Sequence, residues 1–80
     1  MKCVYLLESE NDPERHYTGV TSDLKKRLAR HNAGTTPHTA KYRPWRVVVA
    51  AYFRDEQKGA EFERYLKSGS GQAFANRHFW

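Results

Sequence analysis

Apolar positions along the chain fall into short blocks separated by polar punctuation. Cys3 to Leu7 is a continuous apolar run containing Val4 and Tyr5, which predicts a buried strand. Glu8 to Arg15 is polar and carries Asn11-Asp12-Pro13, a turn or loop. His16 to Thr21 is aromatic and β-branched, a second strand, and the short connection makes the two an antiparallel hairpin. Gly19 interrupts that strand, which predicts either a bulge or a close backbone approach. Ser22 or Asp23 is placed to cap a helix running to about Asn32, with Gly34 free to take a left-handed conformation at its end. Thr35 to Pro44 holds two prolines and no clear periodicity, a long loop. Trp45 to Phe53 is the strongest strand signal, and Asp55 caps a second helix from Glu56 to Lys67. Ser68-Gly69-Ser70-Gly71 breaks that helix, and Gln72 to His78 forms a short last one. The order β-β-α-β-α-α predicts an α/β (α+β) domain with a small three-stranded antiparallel sheet flanked by helices.

Helical geometry sorts the polar residues. At about 100° per residue, Leu24 and Leu28 share a face, with Arg27 and His31 at its edge. Two readings follow for this i,i+4 pair. Either Arg27 snorkels from a packed stem while His31 bonds a neighbouring carbonyl, or both look into a cleft at the sheet edge. On the second helix Gly59, Phe62 and Leu66 form the apolar stripe, with Glu63 beside it and Lys67 one turn on. That is either a surface ion pair or an acid held at the core boundary to bind a cation.

The whole chain is 80 residues, enough for one domain over 1–80 and too short for a second core. No apolar run approaches the ~20 residues of a spanning helix, so no membrane role is expected. Glu8 interrupts the N-terminal apolar run too early for a signal peptide, and the single Cys3 fits a reducing compartment. The expectation is a cytoplasmic protein. Fourteen Lys+Arg against nine Asp+Glu give +5, which suits a polyanionic partner. The four histidines and Cys3 lack zinc-ligand spacing, and no phosphate-cradling glycine loop is present.

Cys3-Val4-Tyr5, then Tyr17-Thr18-Gly19, then Val20 through Leu28 with His31-Asn32, resemble the GIY-YIG nuclease domain. Ala60 to Lys67, with an acid four residues before lysine, is similar to the family's second-helix pattern. The resemblance runs from Cys3 to about Phe74 and is nearest to short single-domain bacterial members. Cys3 stands where the motif has glycine, Thr18 where it has isoleucine, and Val20 where some members carry lysine.

The resemblance implies metal-dependent hydrolysis of a DNA phosphodiester, structure- rather than sequence-selective, in repair or recombination. It implies Tyr5 and Tyr17 as paired active-site tyrosines, Arg27 as the active-site arginine, His31 as the polar first-helix residue and Glu63 as the ligand of Mg²⁺ or Mn²⁺. A tyrosine is expected as the base, with His31 second. Lys25, Lys26 and Arg30, with Lys41, Arg43 and Arg46, are expected to contact phosphates of branched or single-stranded DNA. Tyr42 and Trp45 are placed to stack on an exposed base, or, for Trp45, to cap the core. A partner protein is expected to supply specificity. The competing expectation is a nucleic-acid-binding module with this fold and little cleavage.

Overall fold

The computed structural model describes all 80 residues. Three strands, β1 (Lys2–Ser9), β2 (His16–Thr21) and β3 (Trp45–Phe53), form an antiparallel sheet in the order β2-β1-β3. Helices α1 (Leu24–Ala33) and α2 (Pro37–Ala40) precede β3, and α3 (Glu56–Leu66) and α4 (Gly69–His78) follow it. Apart from α2, the element order and the fold class are those the hydrophobic pattern predicts.

β1 is the central strand, which is why its apolar run is continuous: both faces are covered. Cys3, Tyr5 and Leu7 pack on one side with Trp45, Leu24 and Leu28. Val4 and Leu6 pack on the other with Leu66, Ala75, Phe53 and Phe62. β3 reads equally apolar but is an edge strand, and Val47, Val48 and Tyr52 stay exposed. Its pairing with β1 slips between Leu6↔Val49 and Leu7↔Val47, leaving Val48 as an extra residue.

The capping residues act as the sequence predicts. Asp23 accepts from the Lys26 amide at 3.1 Å, and Asp55 from the Gln57 and Lys58 amides at 2.9 and 3.2 Å. Gly34 ends α1 at φ 79°.

Two stretches differ from expectation. The loop between α1 and β3 contains a turn of helix, α2, which begins with Pro37 where a missing N–H costs nothing. The Ser68–Gly71 segment does not merely break a helix. The Ser68 side chain accepts from the Gly71 amide at 3.2 Å, so the glycines form the first turn of α4. There α4 crosses α3 so closely that a Cβ on Gly71 would lie 1.8 Å from the Tyr65 carbonyl oxygen.

Candidate active site

The sheet register places the tyrosines. Tyr5 in the central strand pairs with Gly19, and Leu7 pairs with Tyr17, so both tyrosines project from one face. Their ring centroids are 6.1 Å apart. Gly19 resolves to a close approach rather than a bulge. A Cβ there would stand 2.5 Å from the Tyr5 hydroxyl oxygen and 3.0 Å from the Tyr17 ring.

Helix α1 delivers Arg27 and His31 to the same face. His31 is 1% exposed, and its ring centroid lies 4.8 Å from that of Tyr17. Its Nε2 is 3.0 Å from the Tyr5 hydroxyl and its Nδ1 is 2.8 Å from Thr39 Oγ1 on α2. His31 therefore bonds two hydroxyls, not the carbonyl of the simpler sequence reading. The Thr39 hydroxyl reaches the Thr36 carbonyl at 3.4 Å.

Thr39 is held in turn. Its carbonyl accepts from Trp45 Nε1 at 2.8 Å, and the Asn32 side chain bonds both the N–H and the carbonyl of Trp45 at 2.6 and 3.1 Å. Trp45 is 4% exposed, so it caps the core and is not available to stack on a base. Sequence reasoning missed Thr39 and Asn32. Asn32 stands beside His31 and carried a signal; Thr39 lay in a stretch read as loop.

Burial sets the protonation states. It pushes the Tyr5 phenol up to about 12; the neighbouring Tyr17 adds to the rise and the Arg27 guanidinium opposes it. Burial, and then Arg27, lowers His31 from its usual value. Near neutral pH, Tyr5 is a protonated phenol and His31 a neutral imidazole.

These groups border an open cavity of about 680 Å³. Tyr17, Arg27, His31, Lys26 and Arg30 line it, and no carboxylate does. A smaller cavity of about 330 Å³ shares Lys26, Arg27 and Arg30 with it and adds Asp23. Three cations around one aromatic-floored hollow suit a phosphate-bearing ligand.

Glu63 does not line this cavity. Its carboxylate is 16% exposed and ion-pairs with Lys67 at 2.5 Å across one turn of α3. Lys67 lines a second cavity of about 340 Å³, which Tyr17 also borders. Tyr17 is thus the side chain common to the arginine side and the α3 side. No group of three or more His, Cys, Asp or Glu side chains is arranged to hold a metal.

The other predicted cations are scattered. Lys25 is exposed on α1, away from the cavity wall. Lys41 and Arg15 lie over the Tyr42 ring at 5.6 and 4.7 Å. Arg43 donates to the Ala40 carbonyl at 3.1 Å, and Arg46 is paired with Glu8.

Comparison with known proteins gives one family. Residues 1–77 match the model of the GIY-YIG catalytic domain. Structure-specific endonuclease subunit SLX1 of Scheffersomyces stipitis is 40% identical over 67 residues, covering 75% of this chain and 20% of the relative. The protein of the same name from Candida dubliniensis is 37% identical, covering 94% of this chain and 27% of the relative. A UPF0213 protein of Streptococcus pyogenes serotype M5 is 44% identical over 52 residues, 65% of this chain and 53% of its own length. The chain spans about a quarter or less of the fungal relatives and about half of the bacterial one.

Proposed function

The chain belongs to the GIY-YIG nuclease family, and from that premise we propose that it is a divalent-metal-dependent DNA endonuclease selecting its substrate by structure rather than sequence. The observation that carries this reading is the carboxylate-free cavity in which Arg27 stands between Lys26 and Arg30, with Tyr17 at its border and His31 in its wall.

Charge accumulates on a phosphodiester as water attacks it. The Arg27 fork is shaped to hold two phosphate oxygens, and Lys26 and Arg30 extend the contact along the backbone. Tyr5 is fully buried and holds its proton tightly, so it does not meet the attacking water. Tyr17 is the member of the pair that reaches the cavity, and in its phenolate form it would take the proton of that water, becoming the neutral phenol. A P–O bond forms to the water oxygen, and the bond to the leaving sugar oxygen breaks. The strand continues past Tyr17 toward the second cavity, where Lys67, Gln72 and Asn76 offer polar contacts.

Glu63 is the residue that would hold Mg²⁺ or Mn²⁺. One partly buried carboxylate, with no sulfur or imidazole beside it, suits a hard ion that keeps most of its waters and takes further oxygens from phosphate. Bound there, such an ion would neutralise the leaving oxygen. Lys67 must release Glu63 first.

That ion pair also favours a second reading, a nucleic-acid-binding module that cleaves little, because it occupies the only proposed metal ligand. The fungal relatives are named as structure-specific endonuclease subunits, which supports a partner protein supplying specificity here.

A nicking assay on branched, single-stranded and duplex DNA with Mg²⁺ or Mn²⁺ separates the readings. Wild type is expected to cut branched or single-stranded DNA. Glu63→Ala, Arg27→Ala, Tyr17→Phe and chelator are expected to abolish cutting in a folded protein. Cutting that survives Glu63→Ala would overturn Glu63 as the metal ligand, and binding without cutting in either metal would establish the binding module.

A further inference from the structure

We propose that Thr39 is a positioning residue for this site: its hydroxyl fixes His31 as the Nδ1–H tautomer, so that Nε2 is left as the acceptor for the Tyr5 hydroxyl. The tautomer follows from hydrogen bonding alone, whereas its effect on rate rests on the nuclease reading.

Both ends of the chain of contacts lead to the same assignment. At one end, Tyr5 is wholly buried and its hydroxyl proton needs an acceptor. The polar groups around that hydroxyl are His31 Nε2 at 3.0 Å, the Tyr17 phenol and the Arg27 guanidinium, and a guanidinium only donates. Of the two acceptors, Nε2 has the 3.0 Å contact, and we assign the phenol proton to it, which leaves Nε2 unprotonated. At the other end, the Thr39 hydroxyl proton has the Thr36 carbonyl as acceptor at 3.4 Å, an oxygen that the Thr39 and Ala40 amides also reach at 3.1 and 2.9 Å. Thr39 Oγ1 is then an acceptor for His31 Nδ1–H at 2.8 Å. The bonds run one way: Tyr5 O–H to Nε2, Nδ1–H to Oγ1, Thr39 O–H to the Thr36 carbonyl. Every buried polar atom in the chain is satisfied.

The reversed arrangement is worse at the Tyr5 end: it would turn Nε2–H toward the Tyr5 oxygen and leave the buried phenol proton only the Tyr17 oxygen. The Thr36 carbonyl would keep its two amide donors, from Thr39 and Ala40 at 3.1 and 2.9 Å.

The groups facing His31 are Tyr5 from β1, Tyr17 from β2, Arg27 from its own helix and Thr39 from α2, with Lys26 and Arg30 across the cavity. None is a carboxylate that would stabilise a second ring proton. A short turn of helix between two prolines therefore sets the hydrogen-bond polarity beneath Tyr17. Its own place is fixed by the Trp45 indole bonded to the Thr39 carbonyl.

Long-range ¹H–¹⁵N spectra of the labelled protein at neutral pH, with His31 assigned by difference against His31→Gln, read the tautomer directly. Wild type, Thr39→Ser and Tyr5→Phe are expected to show a protonated Nδ1 and a bare Nε2. Thr39→Val leaves Nδ1–H without its acceptor and is expected to lose part of that pattern, with Tyr5 alone still favouring a bare Nε2. It should also nick DNA at least about tenfold more slowly at unchanged KM, with Thr39→Ser restoring the rate. A protonated Nε2 in wild type or in Tyr5→Phe overturns the proposal, as does an unchanged tautomer in folded Thr39→Val. If Thr39→Val does not fold, wild type and Tyr5→Phe still decide. If wild type cuts no DNA, the nuclease reading fails while the ring spectra still judge the tautomer.

Discussion

Gly19 and Tyr5 face each other across the first strand pair so closely that a Cβ on Gly19 would stand 2.5 Å from the Tyr5 hydroxyl oxygen. The glycine is a steric condition for the Tyr5–His31 bond. Gly19→Ala is expected to push the Tyr5 ring off His31 and destabilise the fold by about 1–3 kcal/mol, the usual range for overpacking. Urea denaturation measures the loss, and the His31 ring nitrogen signals should shift with it. Wild-type stability with unchanged signals would show that the ring has room to yield.

Tyr5 and His31 make stability depend on pH in opposite directions. The folded phenol titrates at about 12 against an ordinary 10. Between those values the unfolded chain has lost the proton and the folded one keeps it, so stability falls as pH rises from 10 to 12. The slope from this group is at most about 1.4 kcal/mol per pH unit. Tyr5→Phe should flatten the fall, leaving the part owed to Cys3 and Tyr52, whose values are also raised.

On the acid side the folded His31 resists protonation below its ordinary 6.5. As pH drops through 6.5 the unfolded chain takes up a proton that the folded one refuses, and stability falls. His31→Gln should remove that acid limb. Urea midpoints across pH 5 to 8 check it, and an acid limb that persists in the variant would assign it elsewhere.

The cations should not contribute equally to DNA binding. Lys26 and Arg30 border the cavity, while Arg46 is paired with Glu8 on the sheet. Lys26→Ala and Arg30→Ala should each lower the salt dependence of the binding constant by about one unit of log–log slope. Arg46→Ala should change it by much less. Equal effects from all three would mean that DNA breaks the Arg46–Glu8 pair as it binds.

Local signals made most of the fold legible. Asp23, Asp55 and Gly34 mark helix ends through bonds within a few residues, and the apolar run Cys3–Leu7 identifies the central strand. Arg27 and His31 were readable as neighbours because helical spacing alone puts them on one edge. What the sequence could not reveal depends on contacts between distant segments. Thr39 is a hydroxyl in a proline-flanked stretch until α2 folds against α1, and only then does it meet His31. Trp45 could serve as a stacking platform or a core residue until the Thr39 carbonyl claims its indole. Ser68–Gly71 looked like a break because glycine is a poor helix former, yet the α3–α4 crossing admits nothing larger at Gly71.

That crossing gives a paired test. Gly71→Ala would drive a Cβ to 1.8 Å from the Tyr65 carbonyl and is expected to cost more than about 2 kcal/mol. Gly69, two residues away in the same turn, has nothing within 4 Å of its Cβ position. Gly69→Ala should be neutral or stabilising by up to about 1 kcal/mol, since alanine loses less backbone freedom. Thermal melts of the two variants should move in different directions. Similar melts would place the α3–α4 contact elsewhere.

The central strand is also the first one made. β1, residues 2–9, pairs on its far side with residues 45–53, so the sheet stays half-built until some forty further residues have been synthesised. At roughly 5–20 residues per second that is a wait of seconds. During it Tyr5, Tyr17, Arg27 and His31 have all been translated, yet Trp45, whose indole pins the turn carrying Thr39, has not. A nascent or truncated chain that stops before β3 therefore carries Tyr5, Tyr17, Arg27 and His31 without the framework that aligns them, and the site stays unassembled until residues 45–53 have been made.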